Sequence, residues 1–158
     1  MRLFLKIVLF TLVAPGTITV LLPSLLLRGG PGWRVEGARA LVGGPLMLAG
    51  ALLYAWCAYA FGRFGQGTPA PIDPPRHFVD RGLYARTRNP MYLGIVSVLV
   101  GEAALFGSSR LFAYAGAVFL GFHVFTVLYE EPAHRRRFGA AFDEYCRRVP
   151  RWIPRLAR

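Results

Sequence analysis

The sequence predicts an all-α integral membrane protein with about four transmembrane helices in a single domain covering residues 1–158. Three observations predict it. Apolar residues make up 54% of the chain and charged residues only 17%, where soluble domains carry about 25% charge. The apolar residues gather into four runs near bilayer length, and the basic residues fall mainly on one side of those runs. A disordered chain or a nucleic-acid-coating protein would be far more polar, so both are excluded despite a net charge of +11.

The runs cover about residues 3–27, 40–61, 91–106 and 111–129. A crossing helix needs about 20 apolar residues, with a range of about 17–25. The first, second and fourth meet this and the third is short. Pro15, Pro23 and the glycines inside the runs are compatible with helices in lipid. The first run has a basic start at Arg2 and Lys6, but it is too long for a secretory signal and no small-x-small cleavage site follows. It reads as an uncleaved first span. Between the spans lie a middle loop, 62–90, and a tail, 130–158.

Of the 19 Lys and Arg residues, fifteen lie in the N-terminus, the middle loop and the tail; Arg28, Arg34, Arg39 and Arg110 are the other four. The positive-inside rule then puts both termini and the middle loop in the cytoplasm, with a bacterial inner membrane as the expected location. Each cation near an anionic leaflet is worth about 1 kcal/mol, so the bilayer is the partner and no nucleic acid is needed. Cys57 and Cys146 form no CxxC spacing, and His77, His123 and His134 show no ligand spacing, so no metal site is expected.

The polar segments carry the chemistry. Prolines 69, 71, 74 and 75 stiffen the middle loop. In the segment from Tyr84 to Gly94, Asn89 is placed to cap the third helix and Pro90 to open it. The free N–H groups of that first turn, beside Arg86 and Arg88, suit an anion. Glu130 and Glu131 sit at the expected end of the last span, where the helix dipole disfavours anions; a cationic partner explains them better. That partner is either an arginine of the chain or a bound cation. Phe138, Phe142 and Tyr145 recur at i, i+4, i+7 and give the tail an apolar face, suited to the membrane or to closing over the middle loop. His123, seven residues before Glu130, is expected on the same face of the last helix, as a packed interhelical hydrogen bond or a substrate neighbour. Glu102, deep in the third run, is a further intramembrane polar group.

Gly82-Leu-Tyr84, Arg88-Asn-Pro-Met-Tyr-Leu-Gly94, the Glu130-Glu131 pair, Phe138-Gly139, Tyr145 and Val149-Pro150 together resemble the isoprenylcysteine carboxyl methyltransferase and phospholipid methyltransferase group, over about residues 62–154. The resemblance implies methyl transfer from S-adenosylmethionine (SAM) to a small amphipathic or lipid-like acceptor, carboxylate or amine, at the membrane–cytosol boundary. It also implies a cytosolic cofactor pocket formed by the middle loop and the tail. By position, Arg76, His77, Phe78, Val79, Tyr84, Arg88, Asn89, Pro90, Met91, Tyr92 and Glu131 would line the cofactor site, with Glu130 on the cofactor's amino group. Thr126 stands where prenylcysteine-modifying members carry an arginine for the substrate carboxylate, which counts against prenylcysteine. Asn89 replaces a histidine common in eukaryotic members and cannot titrate. No catalytic base is named by the sequence. The alternatives are a non-catalytic membrane module and a sterol-reductase-like, nicotinamide-dependent relative.

Overall fold

The structure is a computed structural model and describes residues 2–28, 35, 37–65 and 79–155. It is all-α among these residues. Four apolar helices, α1 (Leu3–Leu27), α2 (Gly37–Gly65), α3 (Pro90–Phe106) and α4 (Ser109–Phe138), precede a short amphipathic helix, α5 (Ala140–Arg148). Three of them, not four, are long and apolar enough to cross a membrane: α1, α2 and α4 at 25, 29 and 30 residues. The run expected to be short is α3, which falls below that length. Pro90 opens it, and Gly107 ends it with φ +58 and ψ 35, a left-handed conformation that glycine adopts without strain. The 17 residues between rise only about 25 Å.

The expected end of the last span changes. The last helix does not stop at Tyr129 but continues through Glu130, Glu131 and Pro132 to Phe138. A wide π-helical turn, Thr126–Glu130, makes this possible. Proline lacks an N–H and its ring crowds the carbonyl four residues back; widening the preceding turn relieves both. The turn Thr17–Leu21 does the same ahead of Pro23 in α1. The paired carboxylates are therefore interior to a helix, and the unfavourable C-terminal dipole does not act on them.

The core of the bundle is the antiparallel pair α2 and α3. Gly43 and Gly50 on α2 face Gly101 and Gly94 on α3. A Cβ on Gly50 would lie 2.6 Å from the Gly94 carbonyl oxygen, and one on Gly43 would lie 2.6 Å from that of Gly101. Only hydrogen at these positions lets the backbones touch, the small-residue packing that substitutes for hydrophobic drive in lipid. Ser108 caps α4, its hydroxyl accepting from the Leu111 N–H, and turns it back along α3.

Helix α1 is attached more lightly. The Thr11 and Tyr54 hydroxyls are 2.8 Å apart, and the Tyr114 hydroxyl donates to the Ile18 carbonyl at 2.9 Å. Only 6% of the apolar window of α1 is buried. At the other end of the bundle, Gly139 with φ +54 breaks α4 from α5. Phe142, Tyr145 and Val149 then pack inward with Phe138 and Cys146. Glu102 is 9% exposed, so it does not reach the surface, and its Oε2 has no hydrogen-bond partner.

Candidate functional site

A cavity of about 310 Å³ opens where these elements meet, at the lower end of the usual range of about 300–1,000 Å³ for small-molecule sites. Its walls come from α1 (Phe10, Ala14, Pro15, Ile18), α2 (Tyr54, Phe61), the 79–89 segment, the first turns of α3, the second half of α4, and α5. Phe138, Phe142 and Tyr145 all line it. The apolar face of the tail thus closes over the cavity.

The α4 wall is built on a four-residue step: Phe122, Thr126, Glu130, His134 and Phe138. A regular helix turns every 3.6 residues, so such a row drifts about 40° per step. The wide turn at Thr126–Glu130 takes up part of that drift and keeps the row on one face. It also removes His123 from that face. His123 does not line the cavity; its Nδ1 accepts the indole N–H of Trp152 at 3.0 Å. The expectation that His123 and Glu130 share a face is corrected by that one wide turn, and the hydrogen bond His123 makes is to the strap, not between helices.

The two adjacent glutamates have different partners. Glu131 accepts from Arg88 Nη1 at 2.9 Å and from Arg151 Nε and Nη2 at 2.7 and 2.9 Å. The Glu131 bond holds the Arg151 guanidinium pKa above its ordinary value. Glu130 takes hydroxyls instead: Tyr92 donates to Oε1 at 2.7 Å and Thr126 to Oε2 at 3.2 Å. Among the described residues Glu130 has no ion-pair partner. Tyr92 also stacks on Phe122 with ring centroids 4.3 Å apart, which fixes its hydroxyl toward the carboxylate.

The segment before α3 is fastened by the residues after α5. Tyr145 donates to the Tyr84 carbonyl at 2.7 Å. Arg88 N–H donates to the Pro150 carbonyl and Arg155 N–H to that of Arg86, at 2.9 and 3.0 Å. The Thr87 hydroxyl reaches the carbonyls of Arg151 and Trp152 at 3.1 Å. Asn89 sits at the N-cap position of α3, but its side chain makes no cap bond there; it donates to the Arg151 carbonyl at 3.0 Å. The capping expectation is corrected: the strap 149–155 outcompetes the helix end for that amide. Burial raises the Tyr84 and Tyr145 phenols above their ordinary pKa. It also raises the Cys146 thiol, although Arg88, 2.9 Å from the sulfur, pulls the other way.

The structure therefore brings together Val79, Tyr84, Arg88, Asn89, Met91, Tyr92, Thr126, Glu130 and Glu131 around one cavity, with Pro90 buried beside it. Arg76, His77 and Phe78 lie outside the described residues. Sequence reasoning missed Arg151 and the α1 wall. Arg151 carried no spacing signal, whereas the four-residue row on α4 was readable.

Two features suit a zwitterionic amino-acid group. Arg88 and Arg151 share one carboxylate, Glu131, which leaves a surplus cation, and Arg88 Nε is buried without a hydrogen-bond partner. Glu130 is the matching surplus anion. The amino and carboxylate groups of SAM fit this pair, and the aromatic walls fit its nucleoside and sulfonium.

Among proteins of known function, a family model described as phospholipid methyltransferase matches residues 38–141. No curated protein and no solved structure matches the chain. The matched stretch is about two thirds of the sequence and runs from the start of α2 into α5, taking in the glycine-paired helices, the segment before α3 and both glutamates. The chain belongs to the phospholipid methyltransferase family, whose members use SAM to methylate acceptors at the membrane.

Proposed function

We propose that this protein transfers a methyl group from SAM to the amine of a lipid-like acceptor, with Glu130 holding the cofactor's ammonium group. The observation that carries this is the Glu130 carboxylate itself: it faces the cavity, is oriented by two hydroxyls and has no cation from the described residues. Arg88 and Asn89 would hold the cofactor's carboxylate, with Val79, Tyr84, Met91 and Tyr92 around the rest. The Glu131 side of the pair is reassigned: it organises Arg88 and Arg151 instead of touching the cofactor. When bound, SAM supplies an electrophilic methyl group.

The protein's own contribution is positioning and exclusion of water, which together can supply several kcal/mol of a displacement barrier. Phe122, Phe125, Phe138 and Phe142 keep the cavity apolar. Thr126, where an acceptor-binding arginine would stand in prenylcysteine enzymes, spends its hydroxyl on Glu130. Among the described residues the one arginine lining the cavity, Arg88, is paired with Glu131 and, in this reading, given to the cofactor's carboxylate. Neither is available to anchor an acceptor carboxylate, which favours an amine. Aromatic faces favour a developing ammonium by about 0.5–2 kcal/mol. The basic segments support a cytoplasmic placement of both termini and the 62–90 loop, with α3 as a short fourth crossing.

Calorimetry on detergent-purified protein tests the cofactor assignment. Glu130→Gln should weaken SAM binding at least tenfold, and unchanged affinity would overturn it. Radiolabelled methyl transfer to amphiphiles with amine or carboxylate heads tests the acceptor. Transfer confined to the carboxylates would overturn the amine.

A further inference from the structure

The strap 149–155 carries a surface that the cofactor site does not use. Trp152 points from it against the flank of α4. Its ring centroid lies 4.9 Å from that of Phe119, and its indole N–H bonds to His123. Phe119 is eleven residues before Glu130 on the same helix, which is about 16 Å toward the opposite end at 1.5 Å per residue. The Trp152 ring therefore lies beside the apolar stretch of a spanning helix, while the strap backbone stays level with Thr87, Asn89 and Glu131. The next residue, Ile153, is 82% exposed, in a bend between Pro150 and Pro154.

Around it lies a concentration of positive charge. Arg86 and Arg155 are exposed and joined through their backbones. Arg155 Nη1 also bonds the Arg148 carbonyl at 3.0 Å. The Arg147 and Arg148 side chains are 74% and 61% exposed and share one acid, Glu144. A large exposed aliphatic side chain beside an indole at the edge of an apolar helix, with the exposed Arg86, Arg147, Arg148 and Arg155 on the segments linked to the strap, matches the composition of a lipid headgroup boundary. Tryptophan concentrates there, and each arginine near an anionic surface adds about 1 kcal/mol.

We propose that the strap is a leaflet anchor: Ile153 enters the hydrocarbon edge of the bilayer while Arg86, Arg147, Arg148 and Arg155 engage anionic lipid headgroups. The same strap carries Arg151, whose side chain meets Glu131 and whose carbonyl holds Asn89. Docking on acidic lipid thereby holds the segment that fastens Asn89 and Glu131 at the cavity.

The test uses the full chain in nanodiscs, with Cys57 and Cys146 replaced by alanine and the Ile153→Cys variant labelled with bimane. Gel filtration and helical circular dichroism confirm that it is folded. In nanodiscs rich in phosphatidylglycerol the emission should shift to the blue. Lipids brominated high on the acyl chain should quench it at least twofold more strongly than in nanodiscs of phosphatidylcholine alone. Adding Arg147→Gln and Arg148→Gln should remove most of that difference. Water-like emission that brominated lipid does not quench overturns the proposal. So does a blue shift without quenching, which means that protein covers the residue. Equal quenching in the two lipid compositions overturns the role of the arginines and with it the proposal.

Discussion

Replacing Glu131 with glutamine should loosen the C-terminal strap while leaving the helical bundle intact. Glu131 accepts three charge-assisted hydrogen bonds, one from Arg88 at 2.9 Å and two from Arg151 at 2.7 and 2.9 Å. Breaking a buried ion pair by removing one partner costs about 3–5 kcal/mol. Two features lower that figure here: the Arg151 side chain is 30% exposed, so water recovers part of its solvation, and glutamine keeps one acceptor oxygen. About 2 kcal/mol remains. The loss falls on local opening of the strap, not on global unfolding, and at 1.4 kcal/mol per decade it corresponds to about 30-fold faster exchange of the amides that tie the strap down. Those amides are Arg155 N–H, bonded to the Arg86 carbonyl, and Arg88 N–H, bonded to the Pro150 carbonyl. Hydrogen exchange read by mass spectrometry in detergent measures both. Glu130→Gln is the comparator, because it removes no ion pair within the described residues and should change these rates by less than about threefold. Equal rates in the wild type and Glu131→Gln, or equal acceleration in both variants, would refute the division of labour between the two glutamates.

Three further predictions follow from single contacts. Gly50→Ala should destabilise the protein by about 1–3 kcal/mol, because its Cβ would meet the backbone at Gly94 O and Val98 N at 2.6 and 2.8 Å. Gly44→Ala, with nothing within 4 Å, should stay within about 0.5 kcal/mol, and thermal unfolding in detergent compares the two. Burial keeps the Tyr84 and Tyr145 phenols protonated above their ordinary value of 10.0. The unfolded chain therefore loses these protons first, and stability that is whole below pH 10 should decline as pH rises beyond it. Tyr145→Phe should flatten that decline and cost about 1–2 kcal/mol at neutral pH for the lost bond to the Tyr84 carbonyl, measured by unfolding between pH 7 and 11. Trp152→Phe keeps a ring against Phe119 but loses the His123 bond, and should lower stability by about 0.5–1.5 kcal/mol on the same unfolding scale.

The helical class was legible because lipid demands long apolar runs, and the start of α3 followed from Pro90. The meeting of Tyr84, Tyr92 and Glu130 was legible from the family pattern and from the oddity of two carboxylates in an apolar helix. What each carboxylate does was not. Neighbours in sequence point about 100° apart on a helix, so one meets the strap and the other the cavity, and only the fold decides which. His123 was misplaced because periodicity assumes a uniform helix, and a single wide turn before Pro132 shifts the phase. Asn89 carries the ordinary preference for a helix cap, but the strap offers its amide a carbonyl instead. The α1 wall left no trace, since Phe10, Ala14 and Ile18 look like any other lipid-facing residues until the bundle closes around them.

The cavity has walls of unequal stiffness. On one side, α2 and α3 touch backbone to backbone through glycines, and parting them forfeits that close packing. On the other, α1 leans in on two hydroxyl contacts and the packing of Ile7, Ile18 and Leu27, and moving it outward exposes greasy surface to a solvent that is equally greasy. A guest is therefore gauged strictly at its polar end and leniently along its tail. Chains of different girth can share one rigid chemistry, and a wider pocket requires loosening α1 alone.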